Sequence, residues 1–156
     1  KCALAGFLLA LDALAAQKKP LSKQYRELQE KYGYYYPAKS GADVRGISVE
    51  DWQEYKSRVL DILQNHLFKT GDTLNIDGDD KTIREINTTD GVKLTFDDKS
   101  WILLRPSGTE PKFRYYYEIV SNQPLENIDK RLGDYERAAS ETLDRARKIA
   151  DEQEKG

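Results

Sequence analysis

The chain has 156 residues, 38% of them hydrophobic and 33% charged, which is room for one domain and part of another, and enough to bury roughly two-thirds of the unfolded surface without disulfides. A formal net charge of −2 gives no overall attraction for polyanions, which argues against a dedicated nucleic-acid or anionic-membrane binder and requires any anion site to be local. With one cysteine, Cys2, and one histidine, His66, neither an internal disulfide nor a Cys/His metal cluster can form, and a reducing cytoplasm is the simplest setting. Met is absent and residue 1 is Lys, so this end is not expected to be a translation start.

In chain order, Leu4, Leu8, Leu11 and Leu14, with Phe7 and Ala15 beside them, recur at three- and four-residue steps and predict a buried helix. A Lys before an apolar run ending in Ala13-Leu14-Ala15-Ala16 also resembles a secretory signal, but the helical spacing favours the buried helix, and Asp12 interrupts the run too early for a membrane span. The helix should stop near Lys18-Lys19-Pro20. A second helix is predicted from about Ser22 to Lys31, with Gly33 as its left-handed cap and as the domain boundary. Tyr34 to Tyr36 reads as extended, and Pro37 to Gly46 as a loop. Ser48 and Asp51 form a capping-box-like start for a helix carrying Trp52, Tyr55, Val59, Ile62, Leu63 and Leu67, ending near Lys69 to Gly71.

The period then changes. Val92, Leu94 and Phe96 alternate with Lys93 and Thr95 behind a hairpin pair, Asp90-Gly91. Thr82 to Thr88 is the expected partner strand, although Ile83 and Ile86 break the alternation. Trp101 to Leu104 is apolar on both faces, like a central strand covered above and below. Phe113 to Val120 is the fourth strand. Pro124 opens a long helix carrying Leu125, Ile128, Leu132, Tyr135, Ala139, Leu143, Ala146 and Ile149. The expected fold is α+β, a four-stranded antiparallel sheet with helices packed on it.

The segment with most chemistry is Arg105-Pro106-Ser107-Gly108-Thr109-Glu110-Pro111-Lys112-Phe113-Arg114. Arg105 emerges from a rigid hydrophobic strand, so its guanidinium fork can be positioned for two phosphate oxygens. Ser107 and Thr109 offer hydroxyl donors, and Gly108 lets backbone N–H groups approach an anion. Pro106 and Pro111 restrict the loop before it is occupied. A plain chain reversal uses the same residue types, but Arg105, Ser107, Thr109, Lys112 and Arg114 supply more donors than a reversal needs. Glu110 is expected to point away and pair with Lys112, Arg114 or a backbone N–H.

That loop, preceded by Asp90-Gly91-Val92-Lys93 and Trp101-Ile102-Leu103-Leu104 and followed by Tyr115-Tyr116-Tyr117-Glu118, resembles the C-terminal domain of the α-D-phosphohexomutases, the phosphoglucomutase and phosphomannomutase family. The resemblance covers most of Tyr34 to Ile149. It implies a four-domain cytosolic enzyme, of the isomerase class, that moves phosphoryl between the C1 and C6 hydroxyls of a hexose phosphate through a phosphoserine in the first domain. By motif position, Arg105, Ser107, Gly108 and Thr109 are the implied phosphate ligands, with Lys112 and Arg114 as second-rank contributors. The implied fold is of the TATA-binding-protein type. Lys1 to Gly33 resembles the last helices of the family's third domain, leaving residues 34–156 as the fourth. The implied partners are a glucose or mannose phosphate and the remaining domains, with no nucleic acid or membrane. Mg²⁺ and the serine belong to parts absent from this chain, which on this reading is inactive alone.

Other segments are weighed as decoys. Asp77-Gly78-Asp79-Asp80 resembles the family's Asp-rich metal loop but lacks its second Gly, and it also fails the calcium-loop pattern, so a turn is expected. Asn87-Thr88-Thr89 matches a glycosylation acceptor that a cytosolic chain would not use. Tyr115 and Tyr117 share a face with Phe113 and are expected in the core instead of stacking bases. His66 is expected to cap or pack a helix end. A non-catalytic anion or nucleic-acid binding module of the same fold is the alternative function, distinguished by a basic stripe and steep salt dependence.

Overall fold

A computed structural model describes residues 2–153. The chain divides into two compact units, one of residues 1–35 with 121–124 and the other of residues 36–120 with 125–156.

The smaller unit contains α1 (Ala3–Gln17) and α2 (Leu21–Tyr32). Lys18, at φ 51°, ends α1 by donating its N–H to the Leu14 carbonyl at 2.9 Å, and Pro20 cannot continue the ladder. Gly33, at φ 101°, ends α2 where the left-handed region favours glycine. Burial departs from expectation. No residue of α1 is buried, and Leu4, Phe7, Leu8 and Leu9 are 65%, 60%, 56% and 70% exposed. Helical periodicity reports that a face can be covered; it does not report that the same chain covers it. Here α2 is the neighbour of α1 within the unit, and α2 leaves Tyr25, Leu28 and Tyr32 exposed as well.

The larger unit is built on a sheet ordered β1-β6-β5-β4-β3-β2, comprising β1 (Tyr34–Asp43), β2 (Thr73–Ile76), β3 (Asp79–Asn87), β4 (Val92–Phe96), β5 (Trp101–Pro106) and β6 (Lys112–Ser121), with α3 (Trp52–Asn65) and α4 (Ile128–Gln153). From β2 to β6 each pairing is antiparallel. The α+β class therefore holds, but the sheet has six strands where four were expected. Both additions have weak local signals. β1 contains Pro37, Ser40 and Gly41, tolerable because it lies at the sheet edge, where proline is accommodated. β2 is four residues long, and its hairpin to β3 turns on Asp77 (φ 51°) and Gly78 (φ 86°), the paired positive angles of a tight two-residue turn. Asp77-Gly78 is thus a turn, while Asp79 and Asp80 belong to β3.

The uneven spacing of Ile83 and Ile86 also has a cause. The β3–β4 register shifts between Ile83 and Glu85, so Ile83 lies opposite Phe96 and Ile86 opposite Leu94. An extra residue in one strand restores both side chains to the same face. Asp90-Gly91 does not close a two-residue hairpin: Asn87 pairs with Lys93, and only Gly91 of the two has positive φ, at 97°. Its further constraint is contact, because a Cβ there would stand 2.4 Å from the Leu104 carbonyl oxygen.

Directly opposed residues define the two faces. Val92, Leu104 and Tyr115 form one row, and Leu94, Ile102 and Tyr117 the next; all are buried. Beneath them pack Trp52, Tyr55, Val59, Ile62 and Leu63 of α3 and Tyr135, Ala139, Leu143 and Ala146 of α4. Trp101 and Leu103 lie on the other face and are only half-buried, so β5 is not covered on both sides. The open face is managed by polar contacts instead: Lys93 lies 4.2 Å above the Trp101 ring, and the indole N–H of Trp101 donates to Glu118 at 3.0 Å.

Helix starts follow local chemistry. Ser48 Oγ accepts the Asp51 N–H at 3.1 Å and donates to the Asp51 carboxylate at 2.7 Å, which closes a local turn just before α3. The N-cap itself is Asp51, with no side-chain cap hydrogen bond, so the expected capping box does not form because the helix starts three residues further on. α4 begins at Ile128, later than Pro124, because Asn127 at φ 52° breaks helical geometry just before it; the Leu125 N–H is taken instead by the Tyr36 hydroxyl at 3.1 Å. No helix among the described residues is long and apolar enough to cross a membrane.

Burial pushes the phenols of Tyr55, Tyr115, Tyr117 and Tyr135 up; for Tyr117, with the Glu136 carboxylate also contributing, the value reaches about 12. A raised folded-state phenol keeps its proton after the unfolded chain has begun to lose its own near pH ~10. The contribution is complete below that pH and is lost on rising toward 12. Urea unfolding at stepped pH should show stability falling across this window, and Tyr117→Phe should flatten the fall. Separately, Gly91→Ala should cost at least about 2 kcal/mol in the same assay, since it combines positive φ with a clash against β5 backbone.

Candidate functional site

The site is the β5–β6 connection. Buried Ile102 and Leu104 anchor β5 beneath the sheet, so strand alternation sends Arg105 to the open face. On β6, Phe113 and Tyr115 are buried, so Arg114 takes the same face. Arg105 and Arg114 are direct cross-strand partners, and both are exposed. Opposed like charges destabilise an isolated ladder; an anion held between them would reverse that sign.

The connection is closed at its base by the Ser107 N–H on the Lys112 carbonyl at 2.8 Å and by the Lys112 N–H on the Glu110 carbonyl at 2.7 Å. From the side, Val44 donates its N–H to the Pro111 carbonyl at 2.8 Å. Trp52, fully buried, donates its indole N–H to the Ser107 carbonyl at 2.9 Å, and its ring meets Phe113 edge-on at 5.4 Å between centroids. Gln53 donates its side-chain amide to the Gly108 carbonyl at 3.0 Å. Within the loop, the Thr109 N–H reaches the Ser107 hydroxyl at 3.4 Å, a long contact.

Gly108 has no conformational or packing demand from this chain. Its φ is not in the positive range, and an added Cβ would meet nothing within 4 Å. Space stands open over the loop there.

The six residues singled out from the sequence, Arg105, Ser107, Gly108, Thr109, Lys112 and Arg114, therefore lie on one strand end, one loop and the next strand start. Their counter-ions differ from expectation. Arg105 Nε lies 3.1 Å from Asp90, Lys112 Nζ lies 3.1 Å from Asp43, and among the described residues Glu110 has no ion-pair partner. Gly91 explains the first pair, because its close approach to Leu104 and Arg105 carries Asp90 to the guanidinium. Sequence reasoning missed Trp52, Gln53, Asp43 and Asp90 as neighbours of the loop. Trp52 carried a signal only as part of a core stripe, Asp90 only as a turn residue, and Gln53 none.

The decoys resolve locally. Asp77 pairs with Lys130 and Arg137, Asp79 with Lys81, and Asp80 accepts from Asn75. No group of three His, Cys, Asp or Glu placed to hold a metal occurs among the described residues. His66 is the C-cap of α3 and lies 3.5 Å from Asp61.

The sequence model of the family described as "Phosphoglucomutase/phosphomannomutase, C-terminal domain" matches residues 49–134, a span that includes the whole loop. The chain belongs to this family. A probable phosphoglucosamine mutase of Methanosphaera stadtmanae is 48% identical over 48 residues, 31% of this chain and 11% of that protein. A phosphoglucomutase/phosphomannomutase of Thermococcus kodakarensis is 31% identical over 101 residues, 65% of this chain and 18% of that protein. A probable phosphoglucosamine mutase of Methanopyrus kandleri is 31% identical over 133 residues, 85% of this chain and 24% of that protein. The chain thus spans between a tenth and a quarter of the length of these curated relatives.

Arg114→Gln removes one of two opposed guanidinium groups. Urea denaturation without added anion should show unchanged or slightly raised stability, by up to about 0.5 kcal/mol; sulfate is expected to raise the thermal midpoint of the parent chain, and that rise should shrink in the variant.

Proposed function

We propose that this chain is the phosphate-binding C-terminal domain of a phosphohexomutase, and that Arg105, Ser107, Gly108, Thr109, Lys112 and Arg114 bind the phosphate of a hexose phosphate. One observation carries the reading: two exposed arginines paired across the β5–β6 ladder, beside a donor-rich loop with open space over Gly108. A phosphate dianion matches that arrangement, since charge-assisted bonds from two forks and several hydroxyl or amide donors can converge on its oxygens. The site contains no nucleophile paired with a base, so its role is to hold a phosphate that is not reacting.

In the whole enzyme, on this reading, a phosphoserine elsewhere exchanges phosphoryl with the C1 and C6 hydroxyls of the sugar, and Mg²⁺ is held by residues outside this chain. A sugar that binds in two opposite orientations needs firm recognition of its phosphate and loose recognition of its ring. Residues 1–33 would then be the last helices of the third domain and residues 34–156 the fourth, with the other domains as partners. The chain alone would bind without turnover. The alternative, a nucleic-acid module on the open sheet face, has less support: on that face Glu118 adds a carboxylate that accepts the Trp101 indole N–H, and Lys93 is engaged with Trp101.

Each charge-assisted hydrogen bond contributes about 1.5–3 kcal/mol, against an association cost of roughly 4–15 kcal/mol, so affinity for the isolated chain should be millimolar. An NMR titration with glucose 6-phosphate should shift the amides of Ser107, Gly108 and Thr109, and Arg105→Ala should abolish those shifts. Shifts confined to Tyr115–Tyr117, or unchanged by Arg105→Ala, would overturn the assignment.

A further inference from the structure

The first turn of α3 touches the loop through its carbonyls and through nothing else that a phosphate could use. Trp52 holds the Ser107 carbonyl at 2.9 Å and Gln53 the Gly108 carbonyl at 3.0 Å. No peptide bond among the described residues is cis, and in a trans peptide the C=O and the following N–H point in opposite directions. Drawing these two carbonyls toward α3 therefore turns the N–H groups of Gly108 and Thr109 away from it. Among the described residues the Gly108 N–H has no acceptor, and the Thr109 N–H has only the long contact to Ser107 Oγ. Successive backbone N–H groups facing one way form an anion-binding concavity.

We propose that Trp52 and Gln53 are positioning residues that set the polarity of this loop, holding its carbonyls inward so that the Gly108 and Thr109 amides are presented to an oxyanion before it arrives. The inference rests on the phosphate-binding reading and adds what that reading lacks, a reason for the loop to present donors and not acceptors. Without these two bonds the 107–108 and 108–109 peptides could rotate as units, a motion the flanking prolines do not prevent, and carbonyl oxygens would then face the anion. Trp52 is suited to the task because the same ring is fixed at a second point against Phe113, whose position on β6 is set by burial in the core. The donor is thus carried by packed structure and not by a mobile side chain. Gln53 is exposed, so its side chain has no comparable role in the core.

The test uses the 156-residue chain, inorganic phosphate as the probe, and two variants that remove a donor without adding charge, Trp52→Phe and Gln53→Met. Gln53→Met lies on the surface and keeps the comparison available if Trp52→Phe fails to fold. Phosphate affinity should fall about three- to tenfold in each, the loss expected for one hydrogen bond. The phosphate-induced shifts of the Gly108 and Thr109 amides should shrink at saturation, while the Arg105 Nε–H resonance still responds. That selective loss is a signature that general destabilisation would not produce. Parent-like affinity and amide shifts in Gln53→Met and in folded Trp52→Phe would overturn the positioning role and leave the phosphate site standing. A parent chain whose loop ignores phosphate would overturn the site itself, and the positioning role with it.

Discussion

The pairing of β5 with β6 is the constraint on which the rest of the larger unit depends. Its register places Ile102 and Leu104 beside Tyr117 and Tyr115 on the buried face, where burial of several large apolar side chains contributes roughly 1.5–3 kcal/mol each. Once that face is chosen, strand geometry leaves no freedom on the other. Arg105 must stand opposite Arg114, and the intervening residues must turn back within the span between Pro106 and Lys112. The charge repulsion between the two arginines is therefore imposed by the core.

The neighbouring elements make that concentration of charge tolerable. Asp90 and Asp43 lie beside Arg105 and Lys112, though exposed pairs of this kind contribute at most about 1 kcal/mol. Gly91 matters more than its charge-bearing neighbour, because without a Cβ it brings the β3–β4 connection against β5. α3 meets the loop from the other side, through a buried indole and an exposed amide that both take carbonyls. The loop is thus held by its acceptors, which leaves donors as its outward chemistry.

The smaller unit follows a different logic. Its two helices are defined by good terminators, with Lys18, Pro20 and Gly33 at the required places, but their apolar residues remain exposed. Local signals specify where a helix starts and stops; cover for its face is supplied by whatever packs there, and α2 is too polar and too short to cover α1. On the sheet side the same distinction appears at β5. Four consecutive apolar residues looked like a strand buried on both faces, yet one face is open, with Trp101 shielded by Lys93 and Glu118.

Much of the fold was legible because its signals are local. Period-2 and helical patterns and the Asp77-Gly78 turn depend on residues a few positions apart, and the donor-rich loop was readable as a string because all six candidate ligands fall within ten positions. Of β1 only Tyr34 to Tyr36 was legible as extended, its Pro37–Asp43 part having read as a loop, and β2 was not legible, since an edge strand containing proline and a four-residue strand are stabilised by partners that lie far along the chain. Nor were Trp52, Gln53 and Asp90, which reach the loop from separations of tens of residues. Sequence alone determined that the donors cluster within one ten-residue segment. Only the tertiary structure decided which way the loop's peptides face and which cations stand opposite one another, because both depend on the register and packing of distant segments.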